Sequence, residues 1–387
     1  MTSKYSWLQP GFLFLSAHRS IHASGVVQVI TTPAAGGEHH GSPFQGAVTQ
    51  AFQHAKMAGN KHPIIVGAIP FDVTQPSYLY VPQRYEFFDR EMMPSSIKYL
   101  DTGNTILSTR SIPDESSFKV AIHQAIANFQ YSEIKKAVLS RIFEIQLADP
   151  VSSEHILANL MAQNPMAYHF RIPMPDGSEL VGASPELLLR KVGVRIVSNP
   201  LAGSAKRLLD STQDHATGEA LLHSAKDAYE HQIVVDEMRE ALAPYCLRLH
   251  APTTPSLMST ATMWHLSTPI EGDLTHPEIS VLQLACQLHP TPAVCGYPRG
   301  LSRKLIHLIE PFDRGFFTGM VGWCDSEGDG EWVVTIRCGT IRQSTVCLFA
   351  GAGIVEASSP EAEWLETQAK LDTMLNAFGL NLKTCPS

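Results

Sequence analysis

The chain has 387 residues, 44% hydrophobic and 17% charged, a balance typical of a globular protein with one large α/β domain or two to three smaller ones. Its net charge of −8 disfavours a nucleic-acid partner, because phosphate binding needs an excess of basic residues, although a local pocket for a small anion is not excluded. The seven cysteines show no CxxC spacing, and no apolar run reaches the length of a signal-peptide core or a membrane span, so we expect a cytoplasmic protein without membrane contact.

The first 110 residues alternate short apolar runs with turn-forming clusters. Their pattern predicts a helix at 44–59 and a strand at 62–72. The stretch 75–101 is rich in Pro, Tyr and Met and reads as connecting structure. We treat residues 1–110 as the N-terminal part of one integrated domain, whose stronger patterns begin after this point.

The patterns after residue 117 predict alternating helices and strands. Helices are predicted at 118–130, 152–164 and 217–243, and strands at 135–147 and 330–340. There is no series of βαβ units and no nucleotide-binding glycine fingerprint. We therefore predict an α/β (α+β) protein with large, mainly antiparallel sheets flanked by helices.

A helix is predicted to begin at Ser359–Pro360, with serine as the N-cap and proline in the first turn. Glu363, Glu366 and Lys370 follow at spacings that place them within an arc of about 60° on this helix. One interpretation is a solvent-exposed face that carries an ordinary ion pair. The other is a functional surface, which needs matching groups elsewhere in the chain.

A second acidic pair, Asp227 and Glu230, lies three residues apart on the predicted long helix. Two helices that each present such a pair can supply the all-oxygen ligands that Mg²⁺ prefers. Either pair alone would be an ordinary surface pattern.

Two residues are candidates for acid–base chemistry. Lys136 shares a strand face with Val138 and Ser140, and burial there would favour the neutral amine of a general base. Glu186 follows a Gly-Ala-Ser-Pro bend and precedes three leucines, an apolar setting that suits a general acid. The alternatives are an exposed lysine at a strand start and a solvent-facing turn residue.

Other polar groups could bind an anion. Gly203 and Ser204 lie in a tight connection that offers backbone N–H and hydroxyl donors, although a simple turn explains it equally well. Arg337 alternates with apolar residues on a predicted strand and needs an anionic partner, either a structural carboxylate or a ligand. His265 is a core histidine or a donor to a ligand, and Ala293 completes the set.

Ordered motifs across 118–379 resemble those of the chorismate-utilising enzymes, which include anthranilate synthases, aminodeoxychorismate synthases, salicylate synthases and isochorismate synthases. These motifs are KKAVLSR, GASPELL, PLAGSAKR, KDAYEH, WHLSTP, HPTPA, EPFDRGFFTGMVGW, WVVTIR, FAGAGIV and the final E-x-x-E-x-x-x-K. GSPFQGAV and IIVGAIPFD extend the likeness to the N-terminal part, where it is closest to the stand-alone isochorismate synthases of catecholate siderophore pathways.

The resemblance implies a chorismate-binding, aminodeoxychorismate synthase-like fold, with 111–387 as the catalytic region. It implies that Lys136 activates water for attack at C2 of chorismate and that Glu186 protonates the departing C4 hydroxyl. Glu230 and Glu366 match Mg²⁺ ligands, with Asp227 and Glu363 in an outer or shared shell. Positions that match substrate contacts are Gly203, Ser204, His265, Ala293, Arg337, Gly351 and Lys370.

Two residues distinguish among the family's activities. Ala202 stands where the aminodeoxychorismate synthases carry a nucleophilic lysine, and Lys136 stands where ammonia-using relatives carry no base. The resemblance thus implies a Mg²⁺-dependent isochorismate synthase, with salicylate synthase and an inactive anion-binding homologue as the alternatives. We expect a monomer without an amidotransferase subunit.

Overall fold

The computed structural model describes residues 10–90, 99 and 103–380. The helices within these ranges are α1 (Pro43–Met57), α2 (Glu115–Gln130), α3 (Ser153–Gln163), α4 (Ser211–Leu222), α5 (Ala225–Leu242), α6 (Val281–Leu288), α7 (Arg299–Ile309) and α8 (Pro360–Ala377). All of them except α7 begin after a Ser or Asp whose side chain accepts a hydrogen bond from a backbone N–H of the first turn. These caps satisfy donors that have no partner inside the helix, so the sequence fixes where the helices start.

The strands in the first half of the chain are β1 (Phe12–Leu15), β2 (Ser20–Ile30), β3 (Ile64–Ile69), β4 (Tyr78–Phe88), β5 (Ile106–Ile112), β6 (Lys136–Leu147), β7 (Tyr168–Pro173), β8 (Glu179–Ser184), β9 (Leu187–Val192) and β10 (Arg195–Asn199). Those in the second half are β11 (Leu201–Lys206), β12 (Cys246–His250), β13 (Ser256–Ser259), β14 (Met263–Ser267), β15 (Ile270–Leu274), β16 (Gly296–Tyr297), β17 (Met320–Asp325), β18 (Gly330–Val334), β19 (Cys338–Arg342) and β20 (Thr345–Ile354).

Seventeen strands form one antiparallel sheet. Strand pairing runs through β5, β6, β20, β19, β8, β7, β1, β2, β4, β3, β17, β18, β9, β10, β15 and β12, and β16 pairs with the start of β6. The remaining strands form a small sheet in which β14 lies between β11 and β13. The predicted large, mainly antiparallel sheet flanked by helices is confirmed.

The core has apolar layers on both faces of the large sheet. Phe170 of β7 and Val321 of β17 belong to one buried cluster built almost entirely from strand residues, so distant parts of the sheet fold over each other. On the outer faces, α1, α5 and α6 pack on one part of the sheet, α3 and α8 on another, and α2 and α7 beside β6. Because α5 and α8 cover different parts of the sheet, their polar borders can meet at one place.

The predicted single helix at 217–243 is wrong. Helix α4 ends at Leu222, and α5 begins at Ala225 after Ser224, whose side chain accepts a hydrogen bond from the backbone N–H of Asp227. A serine followed three residues later by an acid is a known helix-start signal, and it was present in the sequence.

Two strand predictions also differ from the structure. The predicted strand at 330–340 is divided, because β18 pairs with β9 and β17 whereas β19 pairs with β8 and β20. Arg337 lies at the break with a φ of 51°. The stretch 75–101, predicted to be connecting structure, contains β4; Pro82 of this strand pairs with Val26, beside a register shift in β2. Proline cannot donate to a ladder and is tolerated at such irregularities.

Neither a membrane-crossing helix nor a disulfide occurs in the described ranges. No helix there combines the length and the apolar character that a membrane span requires. The six described cysteines are all free thiols, and Cys385 lies outside these ranges.

Candidate active site

A narrow cleft, partly open to solvent, lies where β6, β20, the small sheet, α5 and α8 come together. The sequence-predicted residues that line it are Glu186, Gly203, Ser204, Glu230, His265, Ala293, Arg337, Gly351, Glu366 and Lys370. The other three predicted residues, Lys136, Asp227 and Glu363, lie behind this lining and contact it through the neighbours described below.

Helix α8 begins as predicted, since the Ser359 side chain accepts a hydrogen bond from the N–H of Ala362. Glu366 and Lys370 form an ion pair of 2.6 Å, and Lys370 also donates to the carbonyl of Gly351 at 2.8 Å. The Ser204 hydroxyl donates to Glu366 at 2.9 Å. These contacts join α8 to β20 and to the small sheet, so this pair belongs to the cleft and not to a solvent-exposed helix face.

Helix α5 brings a second ammonium to the acidic residues of α8. Lys226 forms a 3.0 Å ion pair with Glu363, which is only 1% exposed. Burial alone would lower the pKa of Lys226, but the nearby carboxylates, Glu363 first among them, raise it. Sequence reasoning missed Lys226, although its position four residues before Glu230 was a usable signal.

Lys136 is fully buried at the start of β6 and forms a 2.9 Å ion pair with Glu230 of α5. Gly353 of β20 makes room for this pair, because a Cβ atom at that position would lie 2.1 Å from Oε1 of Glu230. The alternative of an exposed lysine at a strand start is therefore wrong. The space left by a glycine brings an ammonium from β6 against a carboxylate from α5.

Glu186, between β8 and β9, is 2% exposed and therefore not the solvent-facing turn residue of the alternative interpretation. Within the described part of the chain, no cationic side chain lies within ion-pair distance of its carboxyl group. Burial raises the pKa of Glu186 to about 7, although the Leu201 N–H and the charges of Lys136 and Arg337 act in the opposite direction. A carboxyl group that is partly protonated at neutral pH can donate a proton.

Arg337 and His265 form a neighbouring buried pair. Nη2 of Arg337 lies 3.4 Å from Nε2 of His265, and Nε of Arg337 has no hydrogen-bond partner among the described residues. Burial lowers the pKa of Arg337 to about 10, which leaves it charged at neutral pH. Burial and the charge of Arg337 hold the pKa of His265 well below its usual range, so the imidazole is neutral. An available guanidinium inside a cleft suits an anionic ligand.

Gly203 allows the small sheet to lie close to α5. It has a φ of +75° at a register shift in the pairing of β11 with β14, and a Cβ there would lie 3.0 Å from Cβ of Asp227. Asp227 also interacts with the hydroxyl of its helix cap, Ser224. Its pKa is raised by burial first and then by the charges of Glu230 and Glu366.

The four acids of α5 and α8 fit a hard divalent cation in their chemistry, because they are grouped oxygen donors in a shielded position. Glu363 has its pKa raised to about 7 by burial and by Glu366, and its Oε2 atom has no hydrogen-bond partner within the described ranges. In this structure, Glu230, Glu363 and Glu366 each form an ion pair with a lysine. No group of three or more His, Cys, Asp or Glu residues in 10–90, 99 and 103–380 is placed to enclose an ion. The chemistry of these donors suits a hard cation such as Mg²⁺, whereas their positions in this structure do not enclose one.

Sequence reasoning also missed much of the apolar lining. Val138, Leu201, Val294, Phe317 and Ile336 lie in the cleft. Phe317 stacks on Phe349 with ring centroids 5.0 Å apart. These residues come from five different segments, and an apolar residue in a sequence carries no sign of whether it faces a core or a ligand.

Residues 85–379 match the family described as chorismate binding enzyme. Isochorismate synthase EntC of Escherichia coli (strain K12) is 46% identical over 372 residues, covering 96% of this chain and 95% of that protein. Isochorismate synthase DhbC of Bacillus subtilis (strain 168) is 42% identical over 380 residues, covering 96% and 95%. The crystal structure of DhbC from Bacillus anthracis, a candidate 2,3-dihydroxybenzoate-specific isochorismate synthase, matches with a TM-score of 0.90 at 40% identity over 97% of each chain. The chain therefore belongs to the chorismate-binding enzyme family.

Proposed function

We propose that this protein is an isochorismate synthase, which adds water at C2 of chorismate and releases the C4 hydroxyl group. The observation that carries the proposal is a single cleft lined by a buried protonatable carboxyl, an available guanidinium and one acid from each of two helices, Glu230 and Glu366. Two relatives that are at least 42% identical over nearly the whole chain are named isochorismate synthases.

Glu186 is proposed as the general acid. A hydroxide ion is a poor leaving group, and a proton delivered as the C–O bond breaks allows water to leave instead. A carboxylic acid with a pKa of about 7 keeps a large protonated fraction at neutral pH, which an exposed glutamic acid would not.

Lys136 is proposed as the general base that takes a proton from the attacking water. A general base needs a free lone pair, whereas Nζ of Lys136 is engaged with Glu230 at 2.9 Å in this structure. The proposal therefore requires Lys136 to leave Glu230 before it accepts a proton. The position of Lys136 supports this role, because it is fully buried and contacts Glu230, which lines the cleft.

Arg337, Lys370 and His265 are proposed to bind and orient chorismate, which is a dicarboxylate. Arg337 can offer a planar pair of N–H donors to a carboxylate, and the neutral His265 can donate to a carbonyl or hydroxyl oxygen. Gly203, Ser204, Ala293 and Gly351 border the same space, where small side chains let a ring approach the backbone. Together they would hold the ring so that acid and base reach their atoms.

We propose Mg²⁺ as the cofactor, held by Glu230 and Glu366, with Asp227 and Glu363 beside them. When bound, the ion supplies positive charge for a substrate carboxylate. The four acids supply negative charge for that ion, and Lys226 and Lys370 offset the excess that remains.

We further propose that the product serves 2,3-dihydroxybenzoate and siderophore synthesis, since a structural neighbour is named for 2,3-dihydroxybenzoate. The proposed setting is the cytoplasm, with the chain acting as a monomer and without an amidotransferase subunit. Residues 1–110 and 111–387 are proposed to form one domain, which is supported by the position of β1 to β4 within the large sheet.

The test is incubation of the purified protein with chorismate and Mg²⁺, with product identification by chromatography and mass spectrometry. Isochorismate as the sole product supports the proposal. Salicylate with pyruvate would identify a salicylate synthase, and no turnover would identify an inactive anion-binding homologue. Either of these results overturns the proposal.

A further inference from the structure

Arg314, in the connection between α7 and β17, is 3% exposed and uses all five of its N–H groups. Nε donates to Oε2 of Glu310 at 2.8 Å, and Nη2 donates to Oε1 of the same residue at 2.6 Å. The remaining donors reach the Val138 carbonyl at 2.7 Å, the Val294 carbonyl at 2.8 Å and the Thr318 hydroxyl at 3.3 Å. The guanidinium also lies 4.4 Å from the ring centroid of Phe71.

The acceptors other than Glu310 share one property. Val138, Val294 and Thr318 all line the cleft, and they belong to three separate segments of the chain, whereas Arg314 is not part of the cleft lining. The guanidinium therefore contacts three pieces of the cleft wall from behind. It is a structural hub that does not touch the space available to a substrate.

Glu310 extends this hub to β6. Its Oε1 atom accepts the backbone N–H of Ser140 at 2.7 Å. The carbonyl of Val138, two residues earlier, is held by Arg314, and Val138 lies two residues from Lys136. The segment of β6 that carries Lys136 is thus fixed by both members of the buried Glu310–Arg314 pair.

We infer that Arg314 is a positioning residue that holds Val138 of β6, and through it Lys136, against the neighbouring cleft-lining segments at Val294 and Thr318. This inference rests on the proposed function. A lysine could keep the charge and the contact to Glu310, but its three donors on one nitrogen cannot reproduce a planar fork with five. A displacement of about 1 Å in a cleft wall can lower turnover about 100-fold.

The experiment compares Arg314→Lys with the wild type in chorismate turnover, Mg²⁺ binding and thermal unfolding. We expect kcat to fall by about 10- to 100-fold. Mg²⁺ binding, followed as the rise in Tm of the chorismate-free protein with added Mg²⁺, should be unchanged, because Arg314 contacts none of the four acids of α5 and α8. Millimolar guanidinium chloride should partly restore turnover to Arg314→Ala, because the free ion can occupy the vacated position.

Arg171→Lys is the matched control. Arg171 is also fully buried and paired with a glutamate, Glu154, at 2.9 Å, and neither residue lines the cleft. The Tm of Arg171→Lys should fall as much as that of Arg314→Lys, whereas its kcat should stay at the wild-type value. Should Arg314→Lys fail to fold, Glu310→Gln provides the same test, with an expected loss in the same direction.

A wild-type kcat and KM in Arg314→Lys would overturn the inference. The inference would also be overturned if kcat fell in both Arg314→Lys and Arg171→Lys in proportion to the fall in Tm. An inactive wild type overturns the proposed function instead, so the two failures are distinguishable.

Discussion

Glu186 and Glu366 line the same cleft and are both largely shielded from water, yet their pKa values move in opposite directions. Burial raises the pKa of Glu186 to about 7. Burial would also raise the pKa of Glu366, but Lys370 at 2.6 Å, Lys226 and the Ser204 hydroxyl lower it below the ordinary value. Neighbouring charges, and not depth, therefore decide which carboxyl keeps a proton.

The same contrast divides the cleft into two sides. On the ion-paired side, Glu230 and Glu366 line the cleft and pair with Lys136 and Lys370, and the Lys226–Glu363 pair lies behind them. Under the proposed function, these acids exchange an ammonium for a divalent cation. The unpaired side consists of Glu186, His265 and Arg337, where a proton donor, a neutral imidazole and an available cation lie together. One side suits a metal, and the other suits an anionic substrate that must be protonated.

The largest expected effect comes from removing the metal from the ion-paired side. A chelator should abolish turnover, and Mg²⁺ should restore it, because the lysines alone cannot bridge the acids to a substrate carboxylate. The measurement is isochorismate formation before and after Mg²⁺ is added back. Turnover that persists in metal-free buffer would contradict this assignment.

Next is Glu186→Gln, which leaves the unpaired side without its proton donor. Turnover should fall at least ~100-fold while the protein remains folded, because the amide keeps the shape of the side chain. Far-ultraviolet circular dichroism and Tm check the folding.

Glu331→Gln is the matched control for this variant. Glu331 is fully buried and its pKa is raised to about 7 by burial, but it pairs with Arg190 and does not line the cleft. Its turnover should stay near the wild-type value. Equal turnover in Glu186→Gln and Glu331→Gln would contradict the assignment of Glu186 as the general acid.

Lys136→Gln tests whether the ion-paired side also holds the base. We expect a loss of at least ~100-fold in turnover. Breaking a buried pair also costs about 3–5 kcal/mol of unfolding free energy, which chemical denaturation can measure. Lys191→Gln is the control, since Lys191 is 1% exposed and pairs with Asp329 at 2.8 Å away from the cleft. Lys191→Gln should lose a comparable amount of unfolding free energy without a loss of turnover. Wild-type turnover in Lys136→Gln would exclude Lys136 as the general base.

A smaller effect is expected from pH. The general acid must be protonated, so kcat/KM should fall about tenfold per unit as the pH rises above about 7, the pKa of Glu186. A pH–rate profile between pH 5 and 9 checks this. The Glu331→Gln variant should keep the falling limb, and a flat profile in the wild type would contradict the assignment.

The smallest effect concerns stability. Because the pKa of Glu186 is raised in the folded state, the unfolded chain loses this proton first, and the carboxyl destabilises the fold increasingly from about pH 4.5 to about pH 7. The penalty is constant above that range. Glu186→Gln should therefore exceed the wild type in Tm by a few degrees at pH 8 and by nothing at pH 4. An equal Tm difference between Glu186→Gln and the wild type at pH 8 and pH 4 would contradict the raised pKa of Glu186.

Local signals in the sequence predicted the parts of the site that depend on one element. The Ser359–Pro360 start of α8 and the spacing of Glu363, Glu366 and Lys370 follow from the helix period alone. The large antiparallel sheet was predictable because short apolar runs bounded by turn signals recur along the chain without a series of βαβ units. Asp227 and Glu230 lie on one helix as predicted, although that helix starts later than predicted.

The remainder depends on contacts between distant segments. Nothing near Lys136 in the chain indicates that Glu230 is its partner or that Gly353 clears the space. The break at Arg337 is hidden in an unbroken alternation of apolar residues, because each half of that stretch pairs with different strands. Arg314 was visible only as part of a family motif, and its role depends on the carbonyls of Val138 and Val294, which come from elsewhere in the chain.

The pairing of β6 with β20 has a consequence for protein synthesis. Ala137 pairs with Ile354, so a strand made early in translation receives its neighbour only near the end. Until α8 has left the ribosome, Lys226 lacks Glu363 and Ser204 lacks Glu366. One edge of β6 therefore stays unpaired in the nascent chain until β20 is synthesised, and the site can assemble only when translation is nearly complete.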